Sequence, residues 1–196
     1  MRPEEFFSIL KQAGILKLTK RHCYLSPDRW ESVAEHSWRL ALMAMLLSEE
    51  PEFRDLDTDK VIRMCLIHDL GESFTGDIPT FDKSQADDDA EESILFRWID
   101  GFPEPQRSSW RSLLEEMGKL ETKEAKLYKA LDKMEALISH NESDLSTWLP
   151  LEYDLQLEYG QKEMAFSPTL TGIRSSLDEW TRNKIAEGQT KPESEK

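Results

Sequence analysis

The stretch Ile67-His68-Asp69-Leu70-Gly71-Glu72, followed closely by Gly76-Asp77-Ile78-Pro79, organises the rest of the chain. It places an imidazole and a carboxylate side by side at the end of an apolar segment, and a second carboxylate follows one helical turn later. Burying an adjacent His-Asp pair is costly unless both groups are paired or bind a metal. The stretch therefore predicts a functional site at the end of a buried helix.

The residues before this stretch predict an amphipathic helix. His68 lies at helical spacing, i, i+3, i+4 and i+7, from three apolar residues: Val61, Met64 and Cys65. Glu72 stands at i+4 from His68 and at i+3 from Asp69, so all three face one cleft if the helix persists. Gly76 indicates that the helix ends close by, which leaves Asp77 on a turn.

Two further helices carry ligand-capable residues. Ser32 and Glu35 match a capping box, which predicts a helix start and places His36 on its apolar stripe with Leu40, Met43 and Leu47. A helix predicted over residues 121–140 has Asp132 beside its apolar face. Two imidazoles and two carboxylates are thus expected on the buried sides of three helices.

The remaining pattern predicts an all-α single domain. Helices are expected over 3–13, 148–160 and 168–186, whereas 15–29 is expected to be irregular. Alternating β-branched runs that would form a sheet are missing from the sequence. We assign residues 1–186 to the domain and its C-terminal helices, and we expect 187–196 to be a polar, disordered tail.

Composition limits the partners and the compartment. The chain has 196 residues, a formal net charge of −14, 33% charged residues and two cysteines. The charge argues against a nucleic acid polymer as partner, but a local basic or metal centre still permits a small phosphorylated ligand. No membrane partner is expected, since the longest apolar run, 40–47, is too short to span a bilayer. Unpaired cysteine spacing and an acidic N-terminus favour the cytoplasm.

Four residues together suggest a metal site: His36, His68, Asp69 and Asp132. A single histidine on a buried stripe is usually a core residue with a hydrogen-bond partner, and Asp132 alone could lie at a helix boundary. Taken together, the four residues suit one divalent ion whose remaining coordination positions are open to water. The candidates are Mn, Co, Fe, Zn and Mg.

The order and type of these residues resemble the H…HD…D pattern of the HD-domain metal-dependent phosphohydrolases. The likeness covers about residues 5–165 and is carried by four motifs: Glu35-His36-Ser37, His68-Asp69-Leu70-Gly71-Glu72, Gly76-Asp77-Ile78-Pro79-Thr80 and Ala130-Leu131-Asp132-Lys133. Together they resemble the branch of YfbR-like 5′-deoxynucleotidases and HD-domain-containing protein 2. The resemblance implies a single HD-domain helical bundle.

The resemblance also implies roles for the individual residues. The metal ligands would be His36, His68, Asp69 and Asp132. Glu72 would be the catalytic carboxylate, assisted by Asp77, and Arg21 would bind the phosphate. The implied reaction releases phosphate from (deoxy)nucleoside 5′-monophosphates by attack of a metal-activated water, which Glu72 orients or deprotonates. Asp77 would also contact the sugar.

One position departs from the family pattern. In the family, a tryptophan that contacts the sugar usually follows the arginine that corresponds to Arg21. Here His22 stands in its place. Imidazole is smaller and can donate or accept a hydrogen bond, which leaves the selectivity for deoxyribose open. Trp30 or Trp38 could replace the missing ring in part, and for Trp38 we expect packing in the core. His140 is interpreted as structural, because it lies near a helix C-terminus.

Three other functions are compatible with parts of the pattern. Guanosine polyphosphate hydrolases of this superfamily carry an acidic pair after HD, whereas Ser73 follows Glu72 here. Di-iron oxygenases need extra histidines before the last aspartate, and 90–131 contains none. A non-catalytic scaffold that has kept the fold would need neither the four candidate metal ligands nor Glu72 and Asp77.

The expected partners are a small nucleotide substrate and a second copy of the chain. The resemblance implies a homodimer. Spare tryptophans that could contribute to such an interface are Trp98, Trp110 and Trp180.

Overall fold

The computed structural model describes residues 1–190, and helices dominate it. The helices are α1 Pro3–Ala13, α2 Val33–Leu47, α3 Thr58–Ile67, α4 Glu72–Thr75, α5 Gln85–Asp100, α6 Gln106–Lys119, α7 Lys123–Glu142, α8 Glu152–Glu158, α9 Gln161–Met164 and α10 Pro168–Thr190. Strands β1 Lys20–Ser26 and β2 Arg29–Ser32 form one small sheet. The predicted all-α class is confirmed. None of the helices described in residues 1–190 is long and apolar enough to cross a membrane.

Helix α7 is the central element of the bundle. It packs against α2, α3, α6, α9, α10 and β1. Thr122 caps its start by accepting a hydrogen bond of 3.2 Å from the Ala125 amide. Its side chains Leu131 and Leu137 are fully buried, and each contributes on the order of 2 kcal/mol through removal of apolar surface from water. Asp132 is held on this buried helix, and its backbone is therefore rigid.

Helix α2 begins as the sequence predicts. The Ser32 hydroxyl accepts from the Glu35 amide at 3.3 Å, and the Glu35 carboxylate accepts from the Ser32 amide at 2.9 Å. The face turned to α3 and α7 carries buried Val33, His36 and Leu40. The capping box therefore fixes where His36 enters the core.

Residues 15–29 differ from the irregular segment that the sequence predicts. β1 and β2 form an antiparallel hairpin around a turn at Pro27 and Asp28, with register shifts along its length. It is stabilised by contacts that sequence pattern does not reveal. The Ser143 hydroxyl donates to the Tyr24 carbonyl at 2.8 Å, and the Tyr24 and Trp30 rings lie 4.1 Å apart between centroids. Tertiary packing, rather than strand propensity, thus makes this hairpin.

The helix that carries His68 does not persist to Glu72. α3 ends at Ile67, and the chain then makes tight turns in which the Glu72 amide donates to the Asp69 carbonyl at 3.0 Å. After the short helix α4, Gly76 adopts φ +81°, a conformation that favours glycine. Asp77 therefore lies after a turn, as predicted.

The exposure of Trp38 and the end of helix α10 differ from what the sequence predicts. Trp38 is 61% exposed, so the expectation that it packs in the core is wrong. Trp98 and Trp110 pack on either side of Phe102, with centroids 4.8 Å and 5.4 Å away. Helix α10 continues to Thr190, beyond the boundary expected at residue 186, and 191–196 lie outside the described residues.

Candidate metal centre and substrate cavity

The two imidazoles face one another across the core. His36 projects from the first turn of α2, and His68 lies at the C-terminal cap of α3, with ring centroids 5.2 Å apart. The Nε2 atoms of both rings are buried without a hydrogen-bond partner among the described residues. Buried polar atoms of native proteins are usually satisfied. Two such nitrogens that face the same point indicate a binding site for a ligand such as a metal ion.

Two carboxylates complete the arrangement. Asp69 Oδ2 lies 2.9 Å from His68 Nε2 and 3.8 Å from His36 Nε2. Asp132 Oδ1, from α7, lies 3.4 Å from His36 Nε2 and 3.8 Å from His68 Nε2. The structure thus brings all four predicted ligands together, and donor atoms of His36, His68 and Asp69 lie within 4.8 Å of one another. This donor set and spacing fit a divalent metal ion.

The electrostatics of the cluster favour positive charge at its centre. Burial raises the pKa of Asp132, but Lys129, Lys133 and His36 lower it well below its usual value. Burial likewise opposes ionisation of Asp69, and the adjacent histidines outweigh it and lower its pKa. Both carboxylates are therefore ionised. A bound cation would satisfy this negative potential together with the two imidazole nitrogens.

Each imidazole is oriented through its other nitrogen. His68 Nδ1 donates to the Cys65 carbonyl at 2.9 Å, and His36 Nδ1 contacts the Glu135 carboxylate. Glu135 is fully buried and accepts a hydrogen bond of 2.6 Å from Arg39 Nε. When a metal is bound, these contacts would keep the proton on Nδ1, so that each Nε2 lone pair is available at the centre, as metal-binding histidines require.

Arg21 reaches the centre from strand β1. Its Nε donates to the buried Glu31 at 3.1 Å, and its Nη1 lies 3.7 Å from Asp69 Oδ2. Burial lowers the pKa of Arg21, but Glu135, Asp69 and Glu31 outweigh it and raise the pKa above its ordinary value. The guanidinium is thus a fixed cation beside the candidate metal position.

Glu72 and Asp77 form an acidic pair next to the cluster. Glu72 is 5% exposed, and its Oε2 has no hydrogen-bond partner among the described residues. Burial first, and the charges of Asp69 and Asp77 second, raise the pKa of Glu72 to about 11. Burial also raises the pKa of Asp77, although Arg21 opposes this shift. Glu72 is therefore protonated unless a cation binds beside it, and such a cation would lower its pKa.

A cavity of about 430 Å³ opens onto these residues. Its lining includes Arg21, Glu72, Asp77 and Asp132, as well as three lysines: Lys83, Lys129 and Lys133. Lys129 Nζ lies 2.9 Å from Asp132 Oδ2 and Lys133 Nζ lies 3.6 Å from the same atom. The cavity lining thus combines these four cations with six carboxylates: Asp69, Glu72, Asp77, Asp88, Asp132 and Glu152.

His22, His140 and Glu152 also line this cavity. His140 lies in the last turn of α7, as expected, and its Nε2 donates a hydrogen bond to Glu152 at 2.8 Å. His22 Nε2 lies 3.3 Å from the same Glu152 oxygen. Trp30 packs 5.8 Å from the His22 ring between centroids.

Comparison with known proteins places this arrangement in a family. The family model described as HD domain matches residues 13–174. The chain belongs to the HD domain family. A human protein named 5′-deoxynucleotidase HDDC2 is 29% identical over 190 residues, which cover 94% of this chain and 90% of that protein. The mouse protein of the same name is 31% identical over 137 residues, covering 68% of this chain and 67% of its relative.

Two solved structures have the same architecture. The crystal structure of a predicted metal-dependent phosphohydrolase from Magnetospirillum magnetotacticum superposes with a TM-score of 0.77 at 28% identity, covering 97% of this chain and 96% of the other. A Pyrococcus furiosus protein gives 0.67 at 31% identity, covering 90% and 99%. The resemblance and the fold inferred from the sequence motifs are confirmed.

Proposed function

We propose that this HD-domain protein is a metal-dependent phosphohydrolase that releases phosphate from (deoxy)nucleoside 5′-monophosphates. The observation that carries the proposal is the pair of buried, unpartnered Nε2 atoms on His36 and His68, directed at the carboxylates of Asp69 and Asp132. The relatives named 5′-deoxynucleotidase support the reaction and the substrate class.

In this proposal one divalent ion is held by His36, His68, Asp69 and Asp132. When bound there, the ion supplies Lewis-acid activation of a water for attack on phosphorus. Imidazole nitrogens mixed with carboxylate oxygens suit Mn, Co, Fe and Zn, while Mg favours oxygen ligands and is the weakest match.

The surrounding residues bind the substrate and handle the proton. Arg21 offers two guanidinium nitrogens to phosphate oxygens, and Glu31 holds its third nitrogen in place. Lys133 adds a positive charge at the same end of the cavity. Glu72, buried beside Asp69, orients the attacking water, and with its pKa lowered by a bound cation it would accept the proton of that water. Asp77 supports Glu72 and contacts the sugar, and His22 lies beside the sugar.

We also propose a cytoplasmic homodimer with no nucleic acid polymer and no membrane as partner. Free, buried cysteines suit a reducing compartment, and a net charge of −14 disfavours polyanions. The outer face of α2 is a stripe of exposed apolar side chains suited to a second copy: Trp38, Leu42, Met45 and Leu46.

A phosphate-release screen tests this function. Ribo- and deoxynucleoside 5′-monophosphates are incubated with the protein and with each candidate metal, and free phosphate is measured. We expect metal-dependent release that is abolished in Asp69→Ala, because this variant loses a ligand of the metal. No release from any nucleotide with any of the metals would contradict the proposal and favour a non-catalytic scaffold.

A further inference from the structure

Gln12, in the last turn of α1, is hydrogen-bonded to α4, the short helix that begins with Glu72. Its Nε2 donates to the carbonyl oxygen and to the hydroxyl oxygen of Ser73, both at 3.0 Å. A carbonyl oxygen only accepts hydrogen bonds, so the amide nitrogen of Gln12, and not its oxygen, faces Ser73. Gln12 lies just before residues 13–174, which the HD domain family model matches. The contact therefore joins the matched domain to the helix in front of it.

The hydrogen bonds continue from Ser73 to the other side of Glu72. The Ser73 hydroxyl donates to the Leu70 carbonyl at 2.8 Å, and the Ser73 amide donates to the same carbonyl at 3.2 Å. Gln12, the Ser73 hydroxyl and the Leu70 carbonyl thus form one chain of donors and acceptors. Ser73 is buried, where hydrogen bonds are stronger than in water and polarise one another. Gln12 therefore helps to fix the backbone at residues 70 and 73, on both sides of Glu72.

The position of the Glu72 carboxylate depends strongly on this backbone. Its Oε2 has no hydrogen-bond partner among the described residues, so the side chain is not tied at that end. The peptide before it is closely packed, because a Cβ added at Gly71 would lie only 2.5 Å from Glu91 Cγ. The segment that carries Glu72 is thus packed against α5 and hydrogen-bonded to α1. A shift of about 1 Å in a catalytic group can lower a rate about 10²-fold.

We propose that Gln12 is a positioning residue for the hydrolysis, which acts through Ser73 to hold Glu72 at the attacking water. This rests on the proposed function. Neither Gln12 nor Ser73 is among the described residues that line the cavity, so neither contacts the nucleotide. Loss of the Gln12 hydrogen bonds should therefore lower kcat, while KM and the metal content stay unchanged.

Three substitutions of Gln12 separate its hydrogen bonds from its shape, with kcat and KM measured on the nucleotide that the phosphate-release screen finds best. Gln12→Lys keeps a donor and should stay within about twofold of the wild-type kcat. Gln12→Met keeps the length without a donor and should lower kcat about three- to tenfold, the effect of one hydrogen bond. Gln12→Glu keeps the shape but turns a carboxylate toward the Ser73 carbonyl, and should lower kcat about 10- to 100-fold.

The controls separate this role from a structural one. Helix α1 has no fully buried side chain, so the variants should fold. Gln161→Met removes the same kind of bond, from Nε2 to the Leu157 carbonyl at 2.6 Å, on exposed α9 and should keep the wild-type kcat.

A role in packing alone predicts the opposite order, in which Gln12→Glu, the closest in shape, is the least affected. That order overturns the inference, as does an unchanged kcat in both Gln12→Met and Gln12→Glu, or a raised KM or a loss of metal in place of the lower kcat. A wild type that releases no phosphate from any nucleotide overturns the proposed function itself.

Discussion

The two ring nitrogens of His36 have different partners, and this difference organises the site at the scale of single residues. Nδ1 meets Glu135, while Nε2 faces Asp69 and Asp132. Burial and Arg21 lower the pKa of His36, but Glu135 and Asp132 outweigh them and raise it to about 9. Glu135 thus makes the ring a stronger donor to a cation at Nε2.

Glu135→Gln should weaken metal binding without removing a ligand. We expect the metal dissociation constant to rise about 10- to 100-fold, because the partner that orients a ligating histidine loses its charge. Competition titration with a chromogenic chelator measures it. Glu142→Gln is the matched control, since Glu142 also lies on α7 and pairs with Arg39 of α2, but is exposed. Equal metal affinity in Glu135→Gln and the wild type would show that Glu135 does not support metal binding.

Glu72→Ala should separate metal binding from catalysis. Glu72 adjoins the cluster without being one of the four proposed ligands, so the variant should fold and keep its metal. Its kcat should fall about 10²- to 10⁴-fold, the usual contribution of a positioned acid or base. Metal content and phosphate release are measured on the same sample. Hydrolysis at the wild-type rate would refute the role given to Glu72.

Sequence alone suffices to find His36, His68, Asp69 and Asp132, because residue type and helical spacing point to them. It does not reveal Glu31 or Glu135 as their supports. Glu135 meets His36 across 99 positions of sequence, and Glu31 accepts from Ser139 across 108 positions. Such pairs are set by how helices pack, and no local spacing encodes them. For the same reason, the sequence does not reveal the contact between His22 and Glu152.

Between Ile67 and Asp77 the chain leaves regular helix except for the short α4, and this segment places four functional side chains. His68 and Asp69 lie in the turn after α3, Glu72 begins α4, and Gly76 redirects the chain toward Asp77. The sequence predicted a helix end near Gly76, but α3 already ends at Ile67. The hairpin of β1 and β2 was not predictable, because its strands lack alternation and depend on contacts with α7.

Gly76→Ala should strain this connection. Gly76 has φ +81° and ψ 163°, and an added Cβ meets no atom within 4 Å, so the cost is one of backbone conformation alone. We expect a loss of about 1–3 kcal/mol in the free energy of unfolding, together with reduced activity as Asp77 shifts. Urea denaturation measures the stability.

Gly172→Ala, in the interior of α10 with open space around it, is the control for Gly76→Ala. It should be neutral or stabilise the protein by up to about 1 kcal/mol. A Gly76→Ala variant as stable as Gly172→Ala would show that the positive φ carries no constraint.

The whole molecule is a bundle around α7, with the site at one side and an apolar stripe elsewhere on α2. On that stripe Trp38, Met45 and Leu46 are 61%, 56% and 66% exposed. Trp98 and Trp110, which were candidates for an interface, instead pack around Phe102. The stripe therefore replaces these tryptophans as the proposed contact between two copies.

Leu46→Glu should dissociate the proposed homodimer, because a charge buried in an apolar interface is not compensated. Sedimentation equilibrium should give a dimer for the wild type and a monomer for the variant at micromolar concentration. Leu151→Glu places the same charge on a 46% exposed leucine next to α8 and should leave the dimer intact. A monomeric wild type would contradict the homodimer but not the active site.

In the proposed metal centre, one divalent ion is held by His36, His68, Asp69 and Asp132. The most direct test is the metal content of the protein, purified without chelators and measured by inductively coupled plasma mass spectrometry. We expect about one divalent ion per chain in the wild type and almost none in Asp69→Ala or Asp132→Ala. A wild type without stoichiometric metal, or the same metal content in all three proteins, would contradict the proposed metal centre.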